Sequence, residues 1–193
     1  YEGLTRPHRS AKTTSNASEL RQLLVSVSDT NEAPPQQRTN ESYSLEIDAF
    51  GNASLHSETI YGAMRGIETF SQLVHYQFST ATYSISNLPL VIEDEPRFVH
   101  RGFMVDTSRH FQSLGMLKRL LDSMSFAKMN VLHWHAVDDQ SFPLQVDAFP
   151  LLQEQGAYSA GERYSKLDVA DIVEYARLRG IRVMLEVDTP SHT

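Results

Sequence analysis

Asn130-Val131-Leu132-His133-Trp134-His135-Ala136-Val137-Asp138-Asp139-Gln140-Ser141-Phe142-Pro143 is a strand that runs into polar chemistry. Its first half, Val131 to Val137, is rich in branched and aromatic residues, as a buried strand requires. Its second half sets two adjacent carboxylates before a Ser-Phe-Pro turn. Successive strand side chains face opposite ways, so one aspartate can face a site while the other braces a loop. Taken alone, such a pair reads better as a solvated turn.

The flanking sequence changes that weighting. Before it, Gly102-Phe103-Met104-Val105 is a continuous apolar run, expected of a strand buried on both faces. A helix follows over residues 113–129, with Leu114, Leu117, Leu121 and Met124 on one stripe. After it, Ser165-Lys166-Leu167-Asp168 is a capping box for a helix whose inner face carries Val169, Ile172, Val173 and Ala176. Gly180 closes that helix, and residues 181–187 form a third strand. Strands alternating with helices give a parallel sheet, either doubly wound or closed into a barrel. The strand ends carry Asp106, Asp138-Asp139 and Asp188, and no glycine-rich turn follows the first strand. Acidic chemistry at successive carboxyl ends favours the barrel over a nucleotide-binding sheet.

Residues 1–95 read differently. Tyr43-Ser44-Leu45-Glu46-Ile47 alternates as a half-buried strand, residues 20–27 read as another, and residues 54–56 as a third, short one. A helix is expected over residues 59–74, capped by Ser57, with Gly62 and Gly66 allowing close approach to a sheet. This predicts a small α+β domain, ended by Glu93-Asp94-Glu95-Pro96, with His56 and His75 as surface or packing residues. The expected organisation is therefore α/β: an accessory α+β domain at 1–95 and the first three βα units of a TIM (β/α)8 barrel at 96–193. Both domains are expected to be truncated, the first at its N-terminus and the second at its C-terminus.

Composition sets outer limits. At 193 residues, 40% hydrophobic and 21% charged, the chain is that of an ordinary globular protein. A net charge of −7 without a basic cluster argues against a nucleic-acid partner. No run is long and apolar enough for a membrane span, and the absence of cysteine excludes disulfides and thiolate metal sites. The sequons at Asn16, Asn40 and Asn52 favour a glycosylated protein of the secretory pathway, should the source be eukaryotic.

Three constellations carry candidate chemistry. Arg101 offers five fixed donors for a sugar or carboxylate, and reads equally as a salt bridge at the domain junction. Asp106 and Arg109 are spaced to pair locally, which favours a structural role. His133-Trp134-His135 resembles the His-x-His of metal-dependent amidohydrolase barrels, but those carry it on the first strand; a packed histidine pair is the better reading. His192, after Glu186-Val187-Asp188-Thr189-Pro190-Ser191, is placed to relay charge to a neighbouring acid.

Taken together, His100-Arg101-Gly102-(x)3-Asp106-Thr107-Ser108-Arg109-His110, His133-Trp134-His135-(x)2-Asp138-Asp139-(x)2-Phe142-Pro143, residues 175–183 (Tyr-Ala-Arg-Leu-Arg-Gly-Ile-Arg-Val) and Asp188-Thr189-Pro190-(x)-His192-Thr193 resemble glycoside hydrolase family 20 of the eukaryotic β-N-acetylhexosaminidase kind. Residues 58–72 are similar to the helix of that family's accessory domain. The resemblance implies substrate-assisted retaining hydrolysis, in which the substrate's own 2-acetamido oxygen attacks the anomeric carbon. It implies Arg101 on the sugar hydroxyls, Asp188 bracing the site, and Asp138 with His192 as a relay to a general-acid Glu. That Glu belongs to an Asp–Glu pair after the fourth strand, beyond Thr193, so residues 1–193 alone are expected to hydrolyse nothing. The family usually has glycine at the position of Ser191.

The expected substrates are β-linked N-acetylhexosamine glycans: N-glycan, chitin-type oligosaccharide or glycolipid. No cofactor and no metal are expected. The location expected for a eukaryotic source is lysosomal or extracellular, and a homodimer is a possible state of the full-length protein. A metal-dependent barrel hydrolase and a non-catalytic N-acetylglucosamine-binding protein are the alternatives; bound zinc would favour the first, and sugar binding without turnover the second.

Overall fold

Alternation in the sequence becomes alternation in burial. The computed structural model describes residues 19–192, so Asn16 lies outside the described residues. Two compact units divide the described residues: 19–33 with 38–97, and 34–37 with 98–192.

In the first unit, β2 (Tyr43–Ile47) buries Tyr43, Leu45 and Ile47 and turns Ser44 and Glu46 outward. Beside it, β3 (Asn52–Thr59) buries Ala53, Leu55 and Ser57. With β1 (Gln22–Asp29) and β6 (Leu90–Asp94) they form a sheet of order β1-β3-β2-β6. β1 runs parallel to β3, and the other pairs are antiparallel. β4 (His75–Gln77) and β5 (Thr82–Ser84) make a separate hairpin. The short strand expected at residues 54–56 is thus the middle of an eight-residue central strand, since it pairs along both edges. Asn40 and Asn52 are exposed.

Helix α1 (Ile60–Leu73) is capped two residues later than expected. The cap is Thr59, whose Oγ1 accepts from the Gly62 amide at 3.1 Å. Ser57 is still in the strand and donates to the Thr59 carbonyl. Gly62 and Gly66 let the helix lie close to its surroundings: a Cβ would stand 2.3 Å from the Ser42 carbonyl oxygen and 2.3 Å from Leu55 Cδ1, respectively. A feature that periodicity hides is the pair Arg65–Glu41, 2.6 Å apart and buried on both sides.

In the second unit, β7 (Gly102–Asp106), β8 (Val131–His135) and β9 (Arg182–Glu186) are parallel, with β8 in the centre. Helix α2 (Leu114–Phe126) follows β7, capped by Ser113. Between β8 and β9 come a short helix α3 (Pro150–Gly156), which periodicity does not reveal, and α4 (Lys166–Arg177). The Ser165–Asp168 capping box closes reciprocally, and Gly180 takes a φ of 66°. Leu132 and Trp134 pack with Leu117, Leu121, Met124, Tyr164, Ile172 and Ala176. Trp134 Nε1 donates to Thr107 Oγ1 at 2.8 Å.

Of these three strands only β8 is buried as the apolar runs predicted, with His133 alone half-buried. Phe103 and Met104 on β7, and Met184 and Leu185 on β9, are exposed because each of those strands is an edge.

Gly62→Ala separates local propensity from packing. Alanine favours helix interiors by about 1 kcal/mol, but here its methyl meets a backbone oxygen that cannot rotate away. The substitution should destabilise by ~1–3 kcal/mol in denaturant unfolding. A stabilised variant would show that the helix can shift at no cost.

Candidate active site

Strand register supplies the first layer of the site. Asp106 pairs with His135 and His135 with Glu186, so these three occupy one row at the carboxyl ends of β7, β8 and β9. Leu132 and Trp134 point to the helices, so the period of two puts His133 and His135 on the opposite face. Glu186 Oε2 meets His133 Nε2 at 2.6 Å and His135 Nδ1 at 2.7 Å.

The loops beyond the strands supply the second layer. After β8 the chain turns tightly, with Asp138 and Ser141 exchanging backbone hydrogen bonds and Ser108 Oγ donating to the Ser141 carbonyl. This seals the Asp138 side chain from solvent and leaves Asp139 exposed. One aspartate faces the site and the other does not. Asp138 Oδ2 receives three nitrogens: His135 Nε2 at 2.7 Å, Arg109 Nη1 at 2.7 Å and His192 Nδ1 at 3.0 Å. Its Oδ1 accepts the Asp139 amide.

Arg109 is held by the turn after β7. Asp106 accepts from the amides of Ser108 and Arg109 and, at 2.8 Å, from Arg109 Nη1. Arg109 Nε donates to Gln140. Its Nη2 has no partner nearer than His192 Nδ1 at 3.5 Å among the described residues. A cavity of about 950 Å³ opens beside Asp138 and Asp139, walled by Phe142, Leu152, Val187 and Pro190.

These contacts fix the charges. Burial pushes the Asp138 carboxyl up, but the bonds from His135 and the Asp139 amide, with the charge of Arg109, outweigh it and hold it well below the usual carboxylate range. Asp106 is lowered in the same way, its burial overcome by Arg109 and the Ser108 amide. Bonds from His135 and His133 lower Glu186. For His135 burial alone would depress the imidazole, yet the two carboxylates raise it.

Of the expected site residues, Asp138 and His192 are brought together. Ser191 keeps ordinary backbone angles; the left-handed residue of the turn is His192, with a φ of 62°. Asp188 lies half-buried nearby and makes no hydrogen bond or ion pair among the described residues. Arg101 lies apart from this cluster. It stands one residue before β7, at the end opposite the acids, and donates through Nε to the Lys128 carbonyl and through Nη1 to the Phe98 carbonyl. The arginine at the mouth is Arg109. Sequence spacing signals its pairing with Asp106; its second pairing, with Asp138, needs the fold. Glu186 and His135 escape a search for strand-end acids because their roles come from register.

His135, Glu186 and Asp188 also bring donor atoms within 4.8 Å of one another. Both ring nitrogens of His135 already face carboxylate oxygens, so a cation would have to displace a proton and a hydrogen bond. This disfavours the metal-dependent alternative.

Acids and imidazoles gathered beyond the carboxyl ends of parallel, helix-flanked strands have the layout of a TIM-barrel hydrolase. Residues 98–193 match the model of the glycosyl hydrolase family 20 catalytic domain, and residues 3–73 match that described as beta-acetyl hexosaminidase like. Beta-hexosaminidase 1 of Arabidopsis thaliana is 47% identical over 175 residues, covering 88% of this chain and 32% of the relative. A chitobiase of Flavobacterium johnsoniae superposes with a TM-score of 0.78 at 35% identity, over 88% of this chain and 25% of that one. An exo β-N-acetylglucosaminidase of Vibrio harveyi, solved in complex with N-acetylglucosamine, gives 0.71 at 26% identity, over 88% and 28%. The chain belongs to glycosyl hydrolase family 20, with that family's TIM-barrel glycosidase fold and an accessory domain. It spans about a third of the length of the curated relatives it matches.

The depressed carboxylates predict an acid-labile site. Their stabilisation is present above the unfolded carboxylate values, about 4, and is lost as pH falls through the lower folded values. Thermal unfolding temperature should therefore drop below about pH 4. Asp138→Asn, already lacking the charge, should show a shallower acid-side drop. An identical drop in the variant would show that Asp138 is not the group responsible.

Proposed function

We propose that the full-length protein is an exo-acting β-N-acetylhexosaminidase that removes terminal N-acetyl-hexosamine, GlcNAc or GalNAc, with retention. The observation that carries this reading is His192 on Asp138. A buried, anionic carboxylate accepts the Nδ1 proton of a half-exposed imidazole, which leaves Nε2 free to meet a further acid at the mouth. A pair so arranged tunes a neighbouring group and does not itself bond to carbon.

The acid that protonates the leaving oxygen is a different residue. A general acid needs a raised pKa, and Asp106, Asp138 and Glu186 are all lowered. The resemblance to the family assigns that role to a Glu following the fourth barrel strand, beside an Asp that orients the 2-acetamido group. The acetamido oxygen then attacks the anomeric carbon as the leaving oxygen takes the proton, and water opens the resulting ring. The resemblance gives Arg101 the sugar hydroxyls, and Arg109, with Nη2 turned to the mouth, is a second forked donor fitted to hold them. Asp188, with a carboxylate unengaged among the described residues, is positioned as a substrate-side acceptor.

In this reading residues 1–95 are the accessory domain, and 96–193 supply the first three βα units of the barrel. Substrates are β-linked N-acetylhexosamine glycans. Glycans at Asn16, Asn40 and Asn52 and a lysosomal or extracellular location follow for a eukaryotic source, and a homodimer is one assembly the full-length protein can take. Exposure of Asn40 and Asn52 supports the glycans; secreted protein with both bare by mass spectrometry would count against them.

Kinetics of the full-length protein on a chromogenic N-acetylglucosaminide test the roles. His192→Ala should lower kcat by about 100-fold while changing KM little, because the imidazole acts on the acid and does not grip sugar. Arg109→Lys should impair both, since a point charge does not reproduce a fork. Residues 1–193 alone should show no turnover above blank. Unchanged kinetics in His192→Ala would remove the relay; an inactive wild-type protein would remove the function.

A further inference from the structure

Imidazoles and carboxylates alternate across the three strand ends. His133 Nε2 meets Glu186 Oε2, that oxygen meets His135 Nδ1, His135 Nε2 meets Asp138 Oδ2, and that oxygen meets His192 Nδ1. The relay described above uses only the last two groups. His135 sits at the middle of the row, almost fully buried and fixed by strand pairing on both sides. A neutral tautomer would set a nitrogen lone pair against a carboxylate oxygen at 2.7 Å, whichever nitrogen lost its proton. Both nitrogens therefore carry protons.

We propose that His135 is a positioning residue for this reaction: an imidazolium gripped by Glu186 through Nδ1 that holds Asp138 through Nε2, extending the relay from His192 inward to His133. The proposal rests on the hexosaminidase reading for its reaction and on the strand row for its geometry.

The surroundings make the charge consequential. His135 faces Asp106 and Arg109 from β7 and its loop, with Arg109 Nη1 3.4 Å from its Nε2. Asp138 faces it from its own loop and Glu186 from β9. His192 lies across from it, ring centroids 6.1 Å apart, and Asp188 is near. His133 is linked through the shared Glu186 oxygen. Four carboxylates thus contact or adjoin one imidazolium and one guanidinium. Deleting His135's charge leaves Asp138 dependent on Arg109, whose side chain is more than a third exposed. Deleting Glu186's charge removes the anchor on the far side of the ring. The two losses displace the same relay but change its field in opposite senses.

The test is a pH–rate profile of the full-length enzyme and its His135→Gln and Glu186→Gln variants on the chromogenic substrate. Each variant should lose about tenfold in kcat with KM nearly unchanged. Loss of a cation raises neighbouring pKa values, so both limbs of the His135→Gln profile should move to higher pH, by about half a unit or more. Loss of an anion should move the Glu186→Gln limbs to lower pH. Equal losses with superimposable profiles would reduce both residues to packing and overturn the proposal.

Thermal unfolding gives a readout that needs no turnover. Stabilisation from an imidazole whose folded pKa is raised is complete below its unfolded value of 6.5 and lost as pH rises through the folded one. Wild-type protein should show that alkaline-side loss and His135→Gln should not. If His135→Gln fails to fold, Glu186→Gln should shift the same loss to lower pH. Should the wild type prove inactive, the hexosaminidase reading fails while melting still decides the imidazolium bridge; no His135-dependent loss would remove the bridge as well.

Discussion

A single carboxylate oxygen, Oδ2 of Asp138, receives nitrogens from three separate segments of chain: Arg109 after β7, His135 at the end of β8 and His192 after β9. That convergence is possible only if three strands are parallel and in register, because their carboxyl ends must then lie side by side. It also demands positive charge. A carboxylate removed from water without compensation would take up a proton instead. With Arg109 and protonated His135 on it, Asp138 stays anionic, and an anion holds the Nδ1–H of His192 more strongly than a neutral carboxyl would.

The division of labour follows stiffness. Asp106, His135 and Glu186 belong to strands and share one row, so the ladder sets their separations. Asp138 and His192 are in loops, where backbone alone would place them less closely. Asp138 is tied to the strand residue His135 directly, and His192 is tied to it through Asp138. The groups nearest the chemistry therefore borrow their precision from the layer beneath. Trp134, on the other face of β8, is locked by Thr107 and Tyr164, which keeps the strand from rotating its histidines out of the row.

Much of this was legible in the sequence, and the failures have physical causes. The period-two signal in residues 43–47 and the capping box at Ser165 carry local information, and both elements formed as read. The pairing of Asp138 with His192 was accessible through family resemblance. The packing of Arg101 was not: a guanidinium has the same donors wherever it lies, and only the fold shows its Nε on the Lys128 carbonyl and its Nη1 on the Phe98 carbonyl. Glu186 was hidden for a related reason. It precedes the obvious strand-end acid, Asp188, and its partners His133 and His135 lie some fifty residues away. Register across a parallel sheet leaves no local mark, because the crossover helix between partners can vary in length without changing the pairing.

The same reasoning explains why two histidines on one strand face need not mean metal. A metal-binding imidazole presents a lone pair to the cation and donates its other nitrogen outward. His135 has no lone pair to present while its two N–H groups donate to Glu186 and Asp138. What looks like a ligand motif in sequence is therefore a charge bridge in space. The deciding variable is the residue across the sheet from it: an acid at position 186 converts the pair from prospective ligands to donors. Chemistry at this strand end is set by the neighbour in the ladder more than by the motif itself.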